Sequence, residues 1–460
     1  WTKISSSSLG VRYQNKGYIF SDAVGGVFVK NKNILFYILG LLGTKLSLHY
    51  IHLLNPSMNI NIKDISRIPF ILDEDVMSSV FKKIKNSISI SKLDWDSRET
   101  SWNFKQNPLI KHKTDSNLIE NAYQAYTDYW REQFLTLHQN EEELNKIFIN
   151  IYGLKKEMTS DVELDNITIL DDEVKINEKH LKEIKKREEI EEIKGNIANP
   201  KLKDGLHTYF TQNDKKKLLQ FDHEEIVKQF VSYAVGCMLG RYSLDGEGLV
   251  FAGGEFDQSQ YQTFKPDDDA IIPVLEDTYF KDDIVTKFVE FVKTSFGKEN
   301  LTANLNFIAK GLSRSKSETA KETIRKYFIK KFYKEHIKRY NKKPIYWLFS
   351  SGKEKAFNAL VYLHRYNKYT IGKLRINYLH ELQGKYEIEL QNNRQRLKES
   401  KLSRDKTAIE KRVKDLNTKL DELKKYDQLL RQYANRKVEL DLDDGVDVNY
   451  SKLEEILGNK

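Results

Sequence analysis

Apolar and polar positions alternate with different periods along this chain, and those periods set the expected element order. In the opening stretch Val11, Tyr13, Tyr18, Ile19 and Phe20 are β-formers on either side of Gln14–Gly17. Asn15, Lys16 and Gly17 favour a tight turn there, so the spacing predicts a β-hairpin. Gly25 and Gly26 break the pattern before Val27–Val29 resume it. Ile34, Tyr37, Ile38, Leu41, Leu42 and Leu46 then recur at helical spacing, a helix that Gly43 only weakens. Loops are expected at Asn55-Pro56 and at Ile68-Pro69-Phe70. From Ile71 to Asn107 no clear period is legible, and the acid-aromatic run LDWDSRETSWNF predicts a crossing loop with Trp95 and Trp102 packed inward, base stacking by either indole being the alternative. Helical period returns from Asn117 to Lys156 through Ala122, Tyr126, Trp130, Phe134, Leu137, Leu144 and Phe148, with Gly153 as its stop.

The second half follows the same logic. Met158 to Gln220 is charge-rich, with a turn signal at Asn199-Pro200, and reads as an inter-domain connection or a surface insertion. An apolar helix begins at His223 and ends at Gly240-Arg241-Tyr242, where Gly236 and Gly240 permit close packing. Leu249–Phe251 reads as a short strand, Phe280 to Phe296 as an amphipathic helix with Asp282 and Asp283 in its first turn, and Asp267–Asp269 as a solvated turn. Glu322 to Tyr340 carries aromatics and Ile on one face and Lys or Arg on the other. Pro344–Phe349 reads as a buried strand and Phe357–Tyr366 as a short helix. From Leu374 to Lys437 two long Lys/Glu-rich helices are expected, turning at Lys401 to Asp405 with Ser403 as N-cap: an antiparallel hairpin, or else an intermolecular coiled coil. Val438–Leu442 and Val446–Val448 flank a tight turn at Asp443-Asp444-Gly445. The expected fold class is α+β and predominantly α-helical. It comprises a small mixed β/α unit, then helical domains with short strands and the long hairpin. The expected divisions are 1–110, 111–220, 221–370, 371–437 and 438–460.

Composition changes this picture in three ways. A single cysteine, Cys237, excludes an internal disulfide framework and suits a reducing, cytoplasmic home. The uninterrupted apolar run from Ile34 to Leu42 falls short of the roughly 20 residues that a membrane span needs, so no membrane is expected as a partner. A net charge of +9 is compatible with nucleic acid and equally with a bland Lys-rich protein, so the distribution of charge matters more. Lys326, Lys330, Lys331, Lys334, Lys338, Arg339, Lys342 and Lys343, interleaved with aromatics, form the best candidate for phosphate contact. The alternative is a core helix whose cations solubilise its outer face.

Several longer words carry a family likeness. Following the basic-aromatic opening come Gly25-Gly26, LGLLGTK at 39–45, Leu54-Asn55-Pro56 and ISRIP at 65–69. This order resembles the DNA target-recognition region of adenine-specific DNA methyltransferases, and among them the PglX family of BREX phage defence. VSYAVGCMLGRYSLD at 231–245, KPIYWLFSSGKEKAFNALVYLHRY at 343–366 and LDLDDGVDVNY at 440–450 extend the resemblance over nearly the whole chain. The resemblance implies a carboxy-terminal fragment of a bacterial cytoplasmic enzyme, in keeping with an opening that lacks Met and starts inside an alternating pattern. In that account the missing part holds S-adenosylmethionine and the catalytic motifs. The partners implied are double-stranded DNA and, beyond it, other BREX-complex proteins or a phage inhibitor.

Within this frame Arg12, Tyr13, Gln14, Asn15 and Lys16 are the candidate base-reading residues, because Arg suits guanine and Asn or Gln adenine; a solvated turn is the competing account. Arg339, Lys342 and Lys343 are candidate backbone contacts. No catalytic, cofactor-binding or metal residue is expected here. Asn55-Pro56-Ser57-Met58 lacks the second Pro and the aromatic of an adenine-methylating motif, and no glycine-rich cofactor loop occurs. His49 and His52 have no third ligand near in sequence, and the calcium-loop likeness at Asp441–Gly445 places its Gly one residue early and lacks the closing Glu. A different class of function fits the part beyond Met158: a scaffold for other defence proteins or an inhibitor, with little DNA contact of its own.

Overall fold

The computed structural model describes residues 1–4, 9–193, 211–400 and 403–458. They form two compact units: Trp1–Asp96 with Ala125–Asp222, and Ser97–Gln124 with His223–Lys460. Helices dominate both, and the strands form two small antiparallel sheets, so the chain is α+β and predominantly helical.

In the first unit Asn31 caps the helix Lys32–Leu42 by accepting from the N–H groups of Asn33 and Ile34. Gly43 does more than weaken that helix. It ends it, and the Thr44 hydroxyl accepts from Ser47 N–H to start a new one, Lys45–Leu54, bent by 70° from the first. Among the described residues no single helix is long and apolar enough to cross a membrane. Where no period was legible lies a 23-residue helix, Glu74–Asp96. It buries only Val80, Ile84 and Ile90, so its apolar stripe is diluted by polar positions. Gly40 makes its packing possible: a Cβ there would lie 3.0 Å from Val80 and 3.4 Å from both Ile84 and Phe148. The core joins Phe36, Tyr37, Leu41, Leu46, Val80 and Ile84 to Leu144 and Phe148 of the 33-residue helix Ile119–Ile151. Strands β1 (Val174–Ile176) and β2 (Leu219–Phe221) pair antiparallel, and the helices Glu178–Ile193 and Gln212–Leu218 occupy much of the charge-rich stretch. The turn signal at Asn199-Pro200 lies outside the described residues.

The expected opening hairpin is absent. Between Val11 and Phe20 no strand is described, although the turn survives at Lys16-Gly17, with Gly17 at φ +97°. In place of a ladder, the isolated bridges Thr2↔Val24 and Ile4↔Asn59 pair the opening segment with the rest of the unit. A two-stranded ribbon needs an apolar surface to cover, and Tyr18, Ile19 and Phe20 all face solvent here.

The second unit is built on the helix His223–Leu239, in which every residue from Gln229 onward is buried. Phe230 meets Phe288, Phe291 and Phe296 of the helix Ile284–Phe296, which Asp283 caps through the N–H groups of Val285 and Thr286. Strands β3 (Ile271–Pro273), β4 (Tyr346–Ser350) and β5 (Asn358–Tyr362) form an antiparallel sheet in the order β3-β5-β4. Here two expectations fail. Leu249–Phe251 is irregular, with the N–H groups of Val250 and Phe251 both donating to Arg241 O. The helix expected over Phe357–Tyr366 is instead β5 and a short 3-10 turn, Leu363–Arg365. All five residues of β5 are buried, and a strand covered on both faces shows no alternation to read.

The aromatic-basic stretch is two helices, Ala320–Tyr327 and Tyr333–Arg339, joined by a π turn at Phe328–Phe332. The helices His380–Glu399 and Ser403–Arg436 form the long antiparallel hairpin, with Arg412 donating to Glu389 and Arg375 to Asp427. Lys401 and Leu402 of the expected turn lie outside the described residues. Beyond it, Val446–Val448 is not extended: after Gly445 at φ +80° the helix Val446–Ser451 begins.

Candidate nucleic-acid interface

The opening loop carries the first set of candidates. Arg12 is exposed, its guanidinium donating to Val11 O at 3.0 Å. Tyr13 turns inward, half-buried, with its ring edge-on to Phe36 at 5.3 Å, so it anchors the loop. Gln14, Asn15 and Lys16 project into solvent, and Lys16 has no ion pair among the described residues. Burial pushes the Glu141 carboxyl on the long helix up to about 7, against the opposing pull of the Arg12 charge. Arg12 therefore lies within electrostatic reach of the Glu141 carboxyl of its own unit.

The second set lies in the other unit. Arg339 is half-buried and donates to Glu225 at 3.1 Å. Around it Lys331 lies 3.8 Å from Glu224, Lys326 pairs with Glu318 at 2.7 Å, and Lys228 bridges Glu224 and Glu335 at 2.9 and 3.1 Å. Exposed and without an ion pair among the described residues are Lys330, Lys334, Lys338, Lys342 and Lys343. Asn341 and Lys342 have left-handed φ values of 50° and 64°, which turn the chain out of the helix toward β4. The interleaved aromatics do not form a stacking platform: Tyr327, Phe328, Phe332 and Tyr333 are core residues. His336, also buried, accepts at Nε2 from the N–H groups of Ile345 and Tyr346, both at 3.1 Å. Burial, reinforced by the charges of Arg339 and Arg241, drives its pKa down to about 3, so the ring is neutral. The helix thus separates an apolar inner face from an outer face of free lysines. The structure places the five opening-loop candidates in one unit and Arg339, Lys342 and Lys343 in the other.

No protein-family profile matches the chain. Over its whole length it is 34% identical to the adenine-specific methyltransferase BrxX of Escherichia coli O9:H4 (strain HS). Over 98% of its length it is 34% identical to the adenine-specific methyltransferase PglX of Lacticaseibacillus casei (strain Zhang). The chain belongs to the PglX family. It spans 36% and 34% of the length of these two relatives.

In this PglX-family chain His49 and His52 line an open cavity of about 770 Å³ with Lys45, Leu154 and Glu157, but no group of three metal-ligating side chains occurs among the described residues. Both sheets are antiparallel, and no described strand passes through a glycine-rich turn into a helix, so no described segment fits S-adenosylmethionine.

Two sequence readings reverse. Trp95 and Trp102 are exposed, and Phe104 is the aromatic buried beneath that segment, against Tyr233 and Tyr242. Asp267, expected in a solvated turn, is buried. Desolvation and the neighbouring Asp269 raise its carboxyl to about 8. Tyr378 donates to Asp282 at 2.8 Å and lies 3.1 Å from Asp269, Arg365 donates to the carbonyls of Asp267 and Asp268, and Lys287 sits 3.9 Å from Asp267. Sequence reasoning also missed a buried polar network. Arg241 donates to the hydroxyls of Tyr242 and Tyr362, while Ser232 and Tyr340 donate to Glu99. Nothing in residue spacing announces it, because its hydrogen-bonded partners lie up to 241 positions apart.

Proposed function

We propose that this chain is the DNA-engaging part of a site-specific N6-adenine DNA methyltransferase of a BREX-type phage-defence system in the bacterial cytoplasm. S-adenosylmethionine and the methyl-transfer step belong to parts of the enzyme outside this chain, which spans 36% and 34% of the length of its two relatives. The observation that carries the reading is the 34% identity, over 98% of the chain or more, to two proteins described as adenine-specific methyltransferases. The lysines free of ion pairs on the outer face of the second unit support it, because cations not already neutralised are the ones that displace counterions from a duplex. Lys342 and Lys343, with Lys330, Lys334 and Lys338, take the phosphate contacts. Arg339 holds Glu225 and supports that face. Arg12, Gln14, Asn15 and Lys16 form the base-reading set, with Tyr13 fixing the loop that presents them.

A second reading is an interaction scaffold for other defence proteins or a phage inhibitor, favoured by Ile376 and Ile388, exposed apolar residues beside and on the long hairpin. Titration of host-derived and scrambled duplexes over a salt series separates the two. DNA engagement predicts log affinity falling linearly with log salt, whereas a scaffold leaves no measurable affinity at low salt.

A further inference from the structure

We propose that Phe20 and Phe28 form an aromatic wedge that seats between base pairs of duplex DNA, a role that rests on the DNA-binding reading above. The two rings stack on each other, centroids 6.0 Å apart and planes inclined by 25°, while remaining 53% and 80% exposed. Tyr18 at 61% and Ile19 at 100% exposure extend the apolar surface along the same loop. Scattered exposed apolar residues need no account, but a contiguous aromatic run in solvent marks a contact surface.

The pair is built into the loop. Val27 packs inward against the cluster of Leu9, Leu42, Ile51, Ile60 and Ile68, so the alternation of an extended chain sends Phe28 outward. Gly26 makes room for the Phe28 ring, with Phe20 beside it. A Cβ there would lie 2.9 Å from the Phe28 ring and 3.5 Å from the Phe20 ring, so a larger residue touches Phe20 and displaces Phe28.

Charge selects the occupant. From residue 1 to 32 the chain carries Lys3, Arg12, Lys16, Lys30 and Lys32 against one acid, Asp22. Charged residues are depleted from the cores of protein-protein interfaces, whereas aromatics bordered by cations suit a polyanion with flat apolar faces. Inserted apolar side chains of this kind unstack a base step and bend the duplex, and the cations around them hold the phosphates.

The test uses the full chain and 20-base-pair duplexes, each carrying one 2-aminopurine, whose fluorescence rises on unstacking. Wild type is expected to brighten a subset of these probes on binding. The Phe20→Ala/Phe28→Ala variant is expected to bind about tenfold more weakly, with an unchanged salt slope and no brightening, while Phe20→Tyr/Phe28→Tyr keeps both. Because the rings are exposed, an unchanged circular dichroism spectrum serves as the folding control. If wild type binds duplexes and the alanine variant brightens the probes equally, the wedge is wrong and the DNA reading survives. If wild type binds no duplex at low salt, both fall. If the variant loses self-association in sedimentation but keeps its DNA affinity, the patch is a protein contact and the wedge is overturned.

Discussion

At the scale of single residues, burial decides what a titratable group does. Asp267 and Glu141 have native pKa values raised above those of an unfolded chain, to about 8 and about 7. Their native forms hold protons that the unfolded chain releases, so they contribute stability that is full below about pH 4 and lost as pH rises through 7 to 8. Facing Asp267 are Asp269, Asp282, Lys287, Arg365 and Tyr378, and the two carboxylates outweigh the cations. Denaturant midpoints measured at pH 5 and pH 8 should therefore fall less in Asp267→Asn than in wild type, because a neutral amide has no proton to lose. Arg325 offers a second case. It donates to both oxygens of Asp283 at 2.7 and 2.8 Å, and Asp283 is almost fully buried. Arg325→Ala strands that carboxylate and should destabilise the chain by about 3 kcal/mol, read as a lowered denaturant midpoint.

At the scale of elements, the periodic signals were the legible ones. The helices Ile119–Ile151 and His223–Leu239 and the two arms of the hairpin repeat apolar residues every three or four positions and stand where the spacing puts them. What failed lacked such a period: the narrow-striped helix Glu74–Asp96, the doubly buried β5, and the opening hairpin with no surface to cover. Long-range capping is equally invisible in one dimension. Glu422, on the hairpin, accepts from the N–H groups of Glu354 and Ala356 and from the Ser351 hydroxyl, closing the turn between β4 and β5. Glu422→Ala leaves those donors unpaired and should cost about 1–3 kcal/mol. In thermal melts Glu422→Gln should lie between the alanine variant and wild type, since one of its two acceptor oxygens remains. Gly40→Leu should be destabilising by about 1–3 kcal/mol in the same assay, because its Cβ alone would lie 3.0 Å from Val80 and the rest of the side chain would overpack that contact.

At the scale of the whole molecule, binding is expected to follow free charge more closely than total charge. Lys342→Ala and Lys343→Ala should each reduce the slope of log affinity against log salt by about 1, uniformly across duplex sequences. Arg339→Ala should instead act through stability, since its charge is already spent on Glu225. Fluorescence anisotropy over a salt series, paired with a melt of each variant, distinguishes the two behaviours. The candidate site was legible only in part. Lys342 and Lys343 were visible as a basic run, but the ion pairs of Arg339, Lys331 and Lys326 depend on glutamates from other segments.

The sequence by itself determined the fold class, the family, the principal helices and the hairpin, because helical period and long ordered words are local properties of the chain. Only the tertiary structure decided which cations remain free, that Asp267 is buried with its carboxyl pKa raised, that Trp95 and Trp102 lie outside while Phe104 lies inside, and that Phe20 and Phe28 face solvent over Gly26. The physical reason is the same in each case. Desolvation and pairing depend on neighbours brought together from distant positions, and spacing along one chain does not contain them.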